Sequence, residues 1–62
     1  MCESNAYLVN QGKEEEIMQD VQFLDVDDGE LVLRNLFGVE KKLRARVKAI
    51  NFARHKILLE AL

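Results

Sequence analysis

The chain holds a single cysteine, Cys2, in the opening run Met1-Cys2-Glu3-Ser4, and a single histidine, His55. Because the Cys2 side chain is small, removal of Met1 is expected to leave a free amine and a thiol on adjacent carbons of one residue. Those two groups close a five-membered chelate ring on a metal ion, and the peptide nitrogen of Glu3 is near enough to act as a third donor. Thiolate and amine are good donors for late divalent transition metals. Zinc fits less well, since a structural zinc site takes four Cys or His ligands in a tetrahedron and one chain offers only Cys2 and His55. His55 stands between Arg54 and Lys56, whose charges oppose a cation, and reads as a solvated turn residue. The plainer account of Cys2 is a chance residue at a frayed terminus, and the residues alone leave both accounts open.

Other polar groupings carry less chemistry. Glu14, Glu15 and Glu16, and the pair Asp27 and Asp28, lack the loop of defined spacing from which calcium draws its oxygens, so they read as solvated surface and turn residues. No Ser, His and Asp arrangement, second thiol or glycine-rich phosphate loop is present, and 62 residues leave little chain to wall off a substrate cavity. The chain reads as a binding protein, not an enzyme. Charge is segregated: acids fill the first half, whereas Lys41, Lys42, Arg44, Arg46, Lys48, Arg54 and Lys56 crowd the second, for a net charge of −2. On one strand face, Lys42, Arg44, Arg46 and Lys48 would form a stripe able to meet phosphates, which supports an alternative reading as an Sm-like RNA-binding module. Against it stand the overall acidity and the lack of a stacking motif around Tyr7, Phe23, Phe37 and Phe52. The simpler account is a solvated strand face paired with acids from its neighbours.

These residues need a scaffold, and turn signals suggest one. The run from Glu3 to Asn10 has an apolar centre and ends at Asn10 and Gly12, which suit a turn with a left-handed residue, so it reads as a first strand. From Val21 onward, β-branched and aromatic residues lead to Asp28-Gly29, the short-range signal for a tight hairpin, and apolar residues resume at Leu31. A second break falls at Gly38. Residues 39–62 are compatible with two elements. Leu43, Val47, Ile50, Ile57 and Ala61 share one face of a helix, while Leu43, Ala45, Val47 and Ala49 alternate with Lys42, Arg44, Arg46 and Lys48 as in a half-buried strand. In the strand version Asn51 to His55 form a turn and Lys56 to Leu62 a last strand, giving about five strands in a small twisted barrel.

Length bounds the rest. Residues 1–62 make one domain, and so short a chain buries a small share of its surface, so oligomerisation is an expected source of stability. A lone thiol suits a reducing cytoplasm. No apolar run approaches the roughly 18 residues of a membrane span, and no secretory signal is apparent, so neither membrane nor export is expected.

Taken together, the opening "MCES", the acidic and apolar "VQFLDVDDGELVLRNLFG", and a basic stretch followed by "HKILLE" resemble the CooT family of small nickel-binding proteins, which are also labelled predicted RNA-binding proteins. The likeness spans nearly the whole chain, and only its Cys at position two is chemically specific. It implies an all-β, Sm- or SH3-like barrel of five to seven strands, cytoplasmic and homodimeric, holding Ni(II) at its N-termini through Cys2. It also implies a part in maturing a nickel enzyme such as carbon monoxide dehydrogenase. The chemistry agrees. Nickel with strong-field donors favours a square plane, and two chains sharing one ion would supply two thiolates and two backbone nitrogens without any histidine. Glu3 enters that site through its peptide nitrogen.

Overall fold

Two tight turns set the register of the sheet. In the computed structural model, which describes residues 3–62, β1 (Ser4–Asn10) and β2 (Lys13–Asp27) are joined by Gln11 and Gly12, and β2 and β3 (Glu30–Asn35) by Asp28 and Gly29. Each loop is two residues long with both at positive φ: Gln11 at 53° and Gly12 at 79°, Asp28 at 49° and Gly29 at 80°. That is the geometry whose twist matches the flanking strands. The Asp28-Gly29 hairpin is thus where the sequence places it. In the first turn the left-handed residue beside the glycine is Gln11, and Asn10 stays in the strand, paired with Lys13.

The second half is strand, not helix. β4 (Glu40–Asn51) and β5 (Lys56–Ala61) are separated by the turn 52–55, and β3 passes to β4 through the break at Gly38. Consecutive strands all pair antiparallel, and β5 returns to pair with β1, so the sheet closes on itself. Five alternating strands are an odd number, so the closing pair must run the same way. Accordingly Asn5 to Val9 lie parallel to Lys56 to Glu60.

Alternation fills the interior. Leu31 and Leu33 of β3 and Ile57 and Leu59 of β5 point inward with Ala6 and Ala45, joined by Met18 and Val21 of β2. Closing so small a ring requires sharp bending, and β2 supplies it through irregular pairing around Met18 and Asp20 toward β1 and between Val21 and Phe23 toward β3. Asp20 takes φ 55° at that bend. Val21 pairs with both Ser4 and Asn35, so one 15-residue strand serves two neighbours. β4 bends likewise: an irregularity between Val47 and Ala49 leaves Lys48 unopposed, sets Ala49 beside Leu58, and returns Ile50 to the side of Ile57. Ala49, expected to continue the inward series of Leu43, Ala45 and Val47, is therefore exposed. Among the described residues no helix is long and apolar enough to cross a membrane.

Candidate functional site

Of the expected metal ligands, Cys2 lies outside the described residues. Glu3 is half-buried and leads directly into β1. What the fold fixes is the end of the sheet from which β1 starts. Asn5 is the tether: its N–H donates to the carbonyl of His55 at 2.8 Å, and its side-chain Oδ1 accepts from the N–H of Asp20 at 3.1 Å. The Asp20 carbonyl in turn accepts from the N–H of Leu36 at 2.9 Å. These bonds join the β4–β5 turn, the bend of β2 and the β3–β4 connection around the start of β1. They also satisfy backbone groups that the irregular pairing of β2 would leave open.

Both connections at this end are held by asparagine side chains. Asn35 Oδ1 accepts from the N–H groups of Phe37 and Val39 at 3.0 and 2.9 Å, and Asn51 Oδ1 accepts from Arg54 at 3.1 Å. Such bonds let a short polar side chain replace a backbone partner in a turn. The result is a rim of outward apolar side chains: Leu36, Phe37, Val39, Ile50 and Phe52 are all exposed. Their number was not visible from composition, because apolar residues in a small domain are expected inside.

His55 occupies the turn as expected, exposed and at φ 56°. Its neighbour Lys56 is engaged elsewhere, contacting Glu14 at 2.8 Å and lying 5.0 Å from the centre of the Tyr7 ring. Of the acidic triplet, Glu14 thus has a structural partner, and all three glutamates are exposed on β2. Among the described residues no three His, Cys, Asp or Glu come together as a metal cluster.

The basic residues do share one face. Lys42, Arg44, Arg46 and Lys48 are all exposed on the outer side of β4. Register sets Lys42 opposite Val32, Arg44 opposite Glu30 and Arg46 opposite Glu60. Arg46 is held by Glu60 at 2.8 Å, which agrees with a solvated, acid-paired strand face at that position. Exposed pairs of this kind contribute about 1 kcal/mol or less. The remaining three cations make no ion pair among the described residues. No aromatic ring stands within the stripe: Phe23 lies under Arg34, 5.0 Å from its guanidinium carbon, and Phe37 and Phe52 belong to the rim.

Comparison with known proteins points one way. A family model described as CooT, CO dehydrogenase accessory protein, matches residues 1–60. The fold is similar to a crystal structure from Carboxydothermus hydrogenoformans described as a candidate CooT, with 38% identity, a TM-score of 0.92 and coverage of 98% of each chain. No curated protein matches the chain.

Proposed function

Since the chain belongs to the CooT family of CO dehydrogenase accessory proteins, and is thus an accessory factor and not itself an enzyme, we propose that it holds or delivers Ni(II) for that enzyme at a site shared by two copies. Cys2 is the main ligand. With Met1 removed, its thiolate and amine form the chelate, and the Glu3 peptide nitrogen is the further donor. Nickel is the cargo, and the donor set suits it: two thiolates and two of the nitrogens, one from each chain, make a four-coordinate plane that neither chain completes alone.

One observation carries the reading beyond family membership. The end of the sheet where β1 starts is tied through Asn5 and Asp20 to two connections that carry exposed apolar side chains, Leu36, Phe37 and Val39 on one and Ile50 and Phe52 on the other. An apolar rim of that kind marks an association surface, and pairing two copies there would bring two N-termini together. The lone thiol and the absence of any long apolar helix among the described residues fit a cytoplasmic factor.

The test is a calorimetric nickel titration of untagged protein beside the Cys2→Ser variant, with circular dichroism on both. Nickel binding should be lost and the β spectrum kept, because Cys2 precedes the first strand. Undiminished affinity in the Ser variant would place the site elsewhere.

A further inference from the structure

The accessory role requires contact with CO dehydrogenase, and the apolar end is already assigned to a second copy. We propose that the outer face of β4, through Lys42, Arg44 and Lys48, is the surface that docks on the client enzyme, and that it meets an acidic patch there. This deepens the proposed function by naming the face that recognises the partner, and it rests on the accessory role but not on the nickel chemistry.

Consider first what the fold itself requires of these positions. Outward positions on a strand two residues apart lie about 7 Å from one another, so Lys42 to Lys48 span roughly 20 Å of one outer face. Arg46 has a structural partner in Glu60. Lys42 faces Val32, Lys48 is the residue left over by the irregularity in β4, and neither they nor Arg44 closes an ion pair among the described residues. Glu30 faces Arg44 and Glu60 holds Arg46, whereas Lys42 and Lys48 have no acid directly opposite them on the neighbouring strands. A partner of opposite sign supplies the missing complement, speeding encounter and selecting orientation.

The neighbouring strands say which partner. Moving outward from β4, Arg44 is followed by Glu30 and then Asp27, and Lys42 by Val32 and then Asp25. On the other side lies Glu60. A continuous phosphate chain would run against these carboxylates and find no ring beside the stripe on which to stack a base. A folded protein presents carboxylates at discrete points and can fit a narrow basic row bordered by acids. Position favours the client as well. The Lys48 end of the stripe leads to Asn51, which pairs with Lys56 beside Asn5, so docking along β4 sets the start of β1 at the edge of the contact.

The experiment measures binding of nickel-free CO dehydrogenase to the untagged chain by sedimentation, at about 50 and about 300 mM salt. Raising the salt should weaken binding by about tenfold or more, and the double variant Lys42→Glu with Arg44→Glu should do the same at low salt while its nickel affinity stays unchanged. The Lys42→Gln, Arg44→Gln pair should lose less in the same direction, which keeps the test sound should the charge reversal unfold the protein. Glu15→Lys, on the far hairpin, should change binding by no more than about twofold. Cys2→Ser should bind the client as the parent does, separating this surface from the nickel reading. Equal binding by parent and double reversal, no binding by the parent, or tighter binding of a single-stranded oligouridylate that the same substitutions abolish would each overturn the proposal.

Discussion

At the scale of residues, the proposed nickel site turns on whether Cys2 would bind through its thiol alone or through its amine as well. With Met1 in place, or with any N-terminal extension, the Cys2 nitrogen is an amide whose proton is far harder to remove than that of an ammonium group. Closing the chelate ring then requires a costly deprotonation. An N-terminal tag should lower nickel affinity about 100-fold, or roughly 3 kcal/mol, as read by calorimetry. A tag after Leu62 should do little: β1 and β5 run parallel, so β5 finishes at the end of the sheet opposite the start of β1. The same donors fix the sign of the pH dependence. A free thiol and α-amine have reference pKa values of about 8.5 and 7.7–8.0, and both must lose protons to bind, so affinity should fall steadily as pH drops below 8. Affinity independent of pH, or equal in the two tagged forms, would exclude the amine as a donor. Cys2 could be singled out from the sequence because its proposed chemistry depends on position in the chain; Asn5, Asn35 and Asn51 could not, because their value lies in which backbone groups the folded chain brings to them.

Elements were legible where spacing stayed regular. Asp28-Gly29 announced its hairpin, and Leu31 and Leu33 alternate inward as a strand should. β2 was only half read, since the residues it turns inward, Ile17, Met18, Val21 and Leu24, are spaced by one, three and three. Irregular pairing at each bend resets which face looks in, so a closed five-stranded sheet hides its longest strand from any period-two search. In β4 the same device produced the misleading helical spacing of Val47 and Ile50. Turn chemistry gives a prediction at this scale. Gln11 sits at φ 53°, where a residue with a Cβ is held at a cost of about 1 kcal/mol, whereas Asn tolerates the left-handed region. Gln11→Asn should therefore raise the urea midpoint, by up to about 1 kcal/mol in stability. Gly29→Ala should lower it by about 1 kcal/mol or more, since φ is 80° and the added methyl would meet Leu62 Cδ1 at 3.1 Å. No change in either variant would mean that these turns relax freely and do not set the register.

At the scale of the whole molecule, the shape and the surface pull apart. The Cα radius of gyration of 10.7 Å is what a compact domain of this length should have, about 10.6 Å. Among the described residues, however, three large side chains, Leu31, Leu33 and Leu59, are almost wholly buried, while Phe37 and Phe52 stand 78% and 80% exposed. A single chain thus leaves two of its four aromatic residues in water at the end where β1 begins. Covering them is the economical way to stabilise a domain with so small a core, and it is the arrangement that would let two N-termini share one ion. Sedimentation of untagged protein at micromolar concentration should give the mass of two chains, and native mass spectrometry one nickel per two chains with Met1 removed. Phe37→Ser combined with Phe52→Ser should weaken the dimer by about tenfold or more while leaving the β spectrum intact, because neither ring is packed inside the chain that bears it. Nickel affinity should fall in parallel, since a separated chain keeps only its own thiolate and amine. A clean one-chain mass with and without nickel, or full nickel affinity in the separated variant, would refute the shared site, and the apolar rim would then have to serve some other partner.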